Sequence, residues 1–184
     1  MKTLDKFIQK YRILVVLKHI ENNSTILDVG AYHGELFRTL GDKLREGVGV
    51  EPLLEEKIVS DHFVIYPDEF PFKADTVKSQ RYDYITMLAV LEHLPENLYN
   101  SLANDFYKLL KPGGRVIITV PSLKVDKILS ILSALKLIDG MSLEEHHGYL
   151  PDDTVKIFNQ PRFELVTRKT FQLGLNNLFV FKKV

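Results

Sequence analysis

The sequence predicts an α/β domain: a doubly wound, mostly parallel sheet of seven strands, with helices on both faces and an antiparallel strand at one edge. Three observations predict it. Short runs rich in β-branched residues alternate with segments of helical periodicity through most of the chain. Those runs are apolar almost without interruption, as strands covered on both faces are. Two further strand-like runs then close the chain with only "LGL" between them, which implies a hairpin.

The elements follow in order. Thr3 to Ile20 reads as a helix, with Leu4, Phe7, Ile8, Tyr11, Leu14, Val15 and Lys18 near one stripe, and "ENNST" ends it. "TILDV" is the first strand. "ELFRTLGDKL" is a helix with Leu36, Phe37, Leu40 and Leu44 on one face. "GVGVEP" is the second strand, ending in Glu51. "LLEEKIVS" reads as a short helix and "HFVIY" as the third strand. "PDEFPFKADTVKSQR" reads as loop and "YDYITML" as the fourth strand. "PENLYNSLANDFYKLL" places Leu98, Leu102, Phe106, Leu109 and Leu110 at helical spacing. "KPGG" stops it, and "RVIITV" is the fifth strand. Pro121 opens a helical stretch rich in Ile and Leu that ends near "DGM", and "PDDTVKIFNQ" is the last helix. "FELVTRKTFQ" and "NNLFVFKKV" are the closing strands. No repeat or linker divides the chain, so residues 1–184 form one domain, with an N-terminal lid helix over 1–22 and a substrate-side insertion over 122–160.

Composition excludes several classes of function. Hydrophobic residues make up 45% and charged residues 26%, an ordinary profile for a globular domain. Lys plus Arg equals Asp plus Glu, at 24 each, so no net field recruits nucleic acid or an anionic membrane; a local basic patch remains open. The absence of cysteine rules out disulfides, thiolate zinc sites and cysteine nucleophiles. "MKTLDKFIQK" lacks the apolar core of a signal peptide, and no apolar run approaches the ~18 residues of a membrane span. The expected location is cytoplasmic.

The first loop, "TILDVGAYHGE", carries the chemistry. A dinucleotide loop needs glycine at its first, third and sixth positions. Counted from Gly30, the third is Tyr32 and the sixth is Glu35. The tyrosine obstructs close backbone approach, and the glutamate places negative charge where a diphosphate would sit at a helix start. A phosphate-free ligand with a positive reactive end suits this loop. Asp28 then attracts it, and Glu51, 21 positions after Gly30, can accept hydrogen bonds from two ribose hydroxyls. S-adenosylmethionine, with its sulfonium and ammonium, is such a ligand.

"ILDVGAYHGE" resembles motif I of the class I S-adenosylmethionine-dependent methyltransferases, and "GVGVEP" resembles their motif II. "YDYITMLAVLEHL" is similar to the fourth strand and following "EH" of many small-molecule methyltransferases, and "LLKPGGRVIITVP" to the motif along strand five. The likeness covers Ser24 to Pro121, and more loosely the end of the chain. It implies a Rossmann-like sheet with S-adenosylmethionine as cofactor. It places Asp28, Gly30, Ala31 and Gly34 around the methionine moiety, Glu51 at the ribose and Pro52 near the adenine. Met87 and Leu88 contact the cofactor through backbone and apolar surface, and Tyr11 serves as a lid.

Three departures stand out. Tyr32 replaces the middle glycine and either packs within the loop or touches a ligand. The acid that binds the adenine amine in the family has no clear match; Tyr66 aligns nearest, and Asp68 lies two further on. Ala89 stands where some quinol methylases carry a metal-binding Glu, so no metal is expected.

His93 is either a general base or a pocket wall. In "EEHHGYL", His146, ahead of His147, is expected at the substrate; a solvated loop is the alternative. A zinc site from Glu144, His146 and His147 is disfavoured because adjacent residues rarely face one ion. Glu92 reads as a structural acceptor, and the stripe Val125, Ile128, Leu129, Leu132 and Leu135 as core rather than a lipid groove.

The implied reaction is in-line methyl transfer to an oxygen, nitrogen or carbon of a small molecule or a glycan- or lipid-linked acceptor, with His93 or His146 taking any released proton. "LAVLEH" lacks the Asn/Asp-Pro-Pro-aromatic segment of enzymes that methylate nucleic-acid amines, so no nucleic-acid partner is expected. Two alternatives remain: a nicotinamide-dependent oxidoreductase, and a non-catalytic domain that binds S-adenosylmethionine.

Overall fold

The computed structural model describes residues 3–122, 149–158 and 161–184. Among these residues eight strands form one sheet: β1 (Ser24–Val29), β2 (Leu44–Val50), β3 (Ile58–Val59), β4 (Phe63–Tyr66), β5 (Tyr82–Leu88), β6 (Leu110–Pro121), β7 (Phe163–Phe171) and β8 (Asn176–Lys183). Their order is β3-β4-β2-β1-β5-β6-β8-β7. β4, β2, β1, β5 and β6 pair in parallel. β8 runs antiparallel between β6 and β7. The chain winds outward from β1 to β4, then returns to lay β5 beside β1. That reversal opens a crevice at the carboxyl ends of β1 and β5, where ligands of such sheets bind.

Side-chain alternation along the strands separates two cores. Ile26, Tyr84, Ile117, Leu178 and Val180 face α1 (Thr3–Val16) and α2 (Glu35–Leu40), meeting Ile13, Val16, Leu36, Phe37 and Leu40. Leu27, Ile85, Met87, Ile118, Phe179 and Phe181 face α4 (Tyr99–Leu109), meeting Leu102, Phe106 and Leu109. α3 (Asp75–Ser79) and α5 (Pro151–Ile157) join this second face, their packing anchored by Val77 and by Phe158 just past α5. Helices therefore cover both faces of a mostly parallel sheet, as expected. Among the described residues, no helix is long and apolar enough to cross a membrane.

Several local expectations are corrected. The eighth strand, β3, lies inside "LLEEKIVS", which forms turns and a two-residue strand rather than a helix. Leu54 and Ile58 pack against the core from this extended geometry, while Leu53 is 84% exposed and Val59 67%. α2 stops at Leu40, because Gly41 leaves helical geometry (φ 53°, ψ −129°), and Leu44 begins β2 instead of extending the helical face. The segment read as loop after β4 contains α3, pinned by the wholly buried Val77. "KPGG" lies within β6 rather than before it. The closing pair forms the antiparallel edge as expected, with β8 against β6 and β7 outermost.

The stripe expected to bury α1 is also corrected. Ile13 and Val16 are buried on the sheet, whereas Phe7, Tyr11 and Leu14 are exposed. The helix carries two apolar stripes, and only one can face the sheet. The helix expected after Pro121 falls almost wholly outside the described residues, as do Val125 to Leu135.

Candidate functional site

The loop leaving β1 is a backbone arch. Gly30 turns the chain at φ +78°, and its N–H donates to the Val50 carbonyl at 2.9 Å. A Cβ at Gly30 would lie 2.4 Å from Val90 Cγ2, so only glycine fits without displacing that side chain. Gly34, at φ +87°, closes the arch before α2, its N–H donating to the Ala31 carbonyl at 2.8 Å. Tyr32 adopts the left-handed region too, at φ +48°. Its half-exposed ring lies beside His33, with centroids 4.2 Å apart. The loop thus turns at the middle position without a glycine there.

A cleft runs between this arch and α1. Asp28, Gly30, Ala31 and Tyr32 form one side, with Glu35 and Leu36 at the start of α2. Gln9, Arg12 and Ile13 of α1 form the other, and Leu88 at the end of β5 borders both.

The electrostatics are unbalanced toward negative charge held without enough donors. Asp28 is 4% exposed, and Thr86 Oγ1 donates to its Oδ1 at 2.6 Å. Burial pushes this carboxyl up to about 7; the Thr86 bond opposes the shift, and the charges of Glu35 and Glu51 add to it. Glu51 accepts the Tyr32 N–H at 3.0 Å and the Leu53 N–H at 3.1 Å, tying the arch to the chain beyond β2. Each of its oxygens keeps a further lone pair. Arg12 Nη1 donates to the Leu88 carbonyl at 3.4 Å, while its buried Nε has no hydrogen-bond partner among the described residues. Burial lowers the Arg12 pKa, and the charge of Glu92 opposes that. Glu92 is 2% exposed, and its Oε2 has no hydrogen-bond partner among the described residues. Burial pushes it up to about 7, against its own backbone N–H and Arg12.

The structure thus brings Asp28, Gly30, Ala31, Tyr32 and Leu88 to one cleft, with Glu51 bonded to its arch. Gly34 stands at the start of α2, and Pro52 is exposed beyond β2. The Met87 side chain is wholly buried in the core of the α4 face, away from this cleft. His93 is exposed on a short 3-10 turn, Leu91–His93, after β5. His146, His147 and Glu144 lie outside the described residues. Tyr11 turns away from the cleft and stacks on Phe171 at 6.2 Å, so its neighbour Arg12 is the residue that α1 sends inward.

Asp68 does not reach the cleft. Its carboxylate accepts the backbone N–H groups of Glu69, Lys73 and Ala74 at 2.8–3.2 Å, which makes it a loop staple. Sequence reasoning missed Gln9 and Arg12. Their signal was available, since Gln9, Arg12, Ile13 and Val16 follow helical spacing on the face that meets the sheet.

This lining fits a ligand with an amino-acid end and no phosphate. Gly30 leaves backbone bare; among the described residues, Asp28 is a buried acid with one side-chain donor, Thr86, and Arg12 holds a buried N–H without an acceptor.

Comparison with known proteins agrees. A family model described as a methyltransferase domain matches residues 3–160. No curated protein matches the sequence. The N-methyltransferase NodS from Bradyrhizobium japonicum WM9, solved with S-adenosyl-L-homocysteine, superposes with a TM-score of 0.66 at 13% identity, covering 99% of this chain and 88% of that one. The cyclopropane synthase MmaA2 from Mycobacterium tuberculosis gives 0.69 at 12% identity, covering 95% and 84%. The 1,6-didemethyltoxoflavin-N1-methyltransferase from Burkholderia thailandensis, solved with its substrate and S-adenosylhomocysteine, gives 0.66 at 16% identity, covering 94% and 76%. At such identities the structural likeness speaks for the fold, and the family match speaks for the family. The chain belongs to the methyltransferase-domain family, as a class I S-adenosylmethionine-dependent methyltransferase.

Proposed function

We propose that the protein methylates a nucleophilic atom of a small molecule, or of a glycan- or lipid-linked acceptor. The observation that carries this reading is the union, in one cleft, of a bare backbone arch and a buried, under-satisfied acid at Asp28. S-adenosylmethionine supplies an electrophilic methyl group on a positively charged sulfur. Asp28 receives its ammonium, and Arg12 Nε its carboxylate. Glu51, whose oxygens each accept one backbone N–H, takes the ribose hydroxyls with its remaining lone pairs. Gly30 and Ala31 border the methionine moiety, Leu88 contributes apolar wall, and Pro52 lies toward the adenine.

The protein's further task is to orient the nucleophile and exclude water, and such positioning supplies about 7–11 kcal/mol in favourable cases. His93, on the turn after β5, and His146 are the proposed proton acceptors for a nucleophile that must lose a proton. A nicotinamide dinucleotide is disfavoured, since Asp28 and Glu35 both line the cleft where its diphosphate would lie.

The test uses S-adenosylmethionine labelled in the methyl group, incubated with the protein and a fractionated cell extract. Label in the small-molecule, glycan or lipid fraction supports the reading. Label confined to nucleic acid, or cofactor binding with no transfer to any fraction, overturns it.

A further inference from the structure

We propose that the outer face of α1 is a docking surface for a lipid bilayer rich in anionic headgroups. On that face Phe7 is 65% exposed, Tyr11 41% and Leu14 46%. Their spacing puts them on one continuous stripe, opposite the buried Ile13 and Val16. Tyr11 stacks on Phe171, which joins the stripe to the end of β7. The turn between β7 and β8 extends it. Gln172 Nε2 donates to the Ile8 carbonyl at 3.0 Å, and the neighbouring Leu173 is fully exposed at the tip. Phe7, Leu14 and Leu173 are thereby presented together beside the Tyr11–Phe171 stack, each at least 46% exposed.

The charge beside this stripe is mostly positive. From Asp5 to His19 the segment holds Lys6, Lys10 and Lys18 outside the cleft and Arg12 within it, against a single acid, Asp5. Lys6, Lys10 and Lys18 are exposed. The positive field continues past the helix. His19 is pushed below its ordinary pKa first by burial and then by the charges of Lys169, Arg115 and Lys18. Glu21, past the helix, lies 3.7 Å from Arg115. The chain as a whole is neutral, so this face is a segregated basic region. Aromatic and aliphatic residues flanked by lysines are the composition of a helix that lies in the headgroup layer. A nucleic acid would meet the lysines but leave Phe7, Leu14 and Leu173 in water.

The same helix lines the ligand cleft with Gln9, Arg12 and Ile13 on its inner side. Docking by the outer side brings the cleft rim to the bilayer surface. Resting on the methyl-transfer reading, this favours an acceptor presented at a lipid surface over one free in solution.

The test is co-sedimentation of the full chain with vesicles of phosphatidylcholine alone, and with about 30% phosphatidylglycerol added. Binding to the anionic vesicles is expected, and it falls at least about tenfold in ~0.5 M salt, where surface charges are screened. K6E/K10E lowers it by a similar factor at low salt. F7S/L14S lowers it as well, although it leaves the charge unchanged. Both pairs lie outside the cleft lining, so retained binding of S-adenosylhomocysteine verifies that they fold. Wild-type protein that ignores anionic vesicles, or binding indifferent to both pairs, overturns the proposal. So does a wild-type dimer in sedimentation equilibrium that F7S/L14S dissociates, because a second copy then covers the face. Wild-type protein that binds no S-adenosylhomocysteine would instead sink the methyl-transfer reading and leave the docking surface standing.

Discussion

Replacing Asp28 by Asn is expected to stabilise the free protein above neutral pH while weakening its ligand. Asp28 is 4% exposed, and its carboxyl rises from 3.8 to about 7, chiefly through burial. In the unfolded chain the same group loses its proton near its ordinary value. Between those values the folded state therefore holds more protons, and stability falls as pH rises from about 4 through 7. A shift of about three units, at about 1.4 kcal/mol each, makes the loss as large as about 4 kcal/mol once pH exceeds 7. Asparagine cannot ionise, and its Oδ1 can keep the hydrogen bond from Thr86. Urea unfolding of both proteins at about pH 4.5 and pH 8 measures the difference. The variant's advantage over wild type should grow by about 3 kcal/mol from the lower pH to the higher. S-adenosylhomocysteine, whose ammonium favours the ionised acid, should bind wild type more tightly as pH rises through 7, and the variant without that dependence. Equal pH slopes in unfolding, or a variant less stable at pH 8, would show that Asp28 is ionised and satisfied without a ligand.

Three other substitutions probe the same site. Gly30→Ala puts a Cβ on a left-handed backbone, which alone costs about 1–2 kcal/mol, and places it 2.4 Å from Val90 Cγ2. An unfolding midpoint unchanged from wild type would contradict that geometry. Arg12→Gln removes a charged hydrogen bond worth about 1.5–3 kcal/mol, so S-adenosylhomocysteine should lose roughly tenfold or more in affinity. 5′-Methylthioadenosine, which lacks the amino-acid end, should change little, and equal losses for both ligands would remove Arg12 from its assigned role. Glu92→Gln abolishes a second group whose folded pKa, about 7, exceeds its ordinary 4.5. Stability lost between those two values should shrink in this variant, as read by thermal unfolding at mildly acid and mildly alkaline pH; a slope like that of wild type would count against Glu92 as a buried acid.

The legible parts of the molecule were those encoded over a few consecutive residues. β1 and β5 are apolar runs long enough to have one reading, and Asp28, Gly30, Ala31 and Glu51 lie in short motifs at their ends or beside them. What escaped depended on partners distant in sequence. α1 has two apolar stripes, and only the sheet decides that Ile13 and Val16 go inward while Phe7 and Leu14 stay out. Arg12 enters the cleft for the same reason. Leu44 continues the periodicity of α2, yet Gly41 ends the helix and β1 recruits Leu44 into pairing with Ser24. Asp68 resembles a ligand acid in the sequence, but its oxygens accept three backbone N–H groups of its own loop. Glu92 carries no sequence mark of its 2% exposure, which follows from packing around the turn after β5.

The account depends most on the identity of the nucleoside in the cleft beside Asp28 and the Gly30 arch. Titration calorimetry with S-adenosylmethionine and, separately, with NADH tests it directly. Saturable uptake of S-adenosylmethionine and none of NADH is the predicted result; tight uptake of NADH with no heat from the sulfonium compound would contradict it.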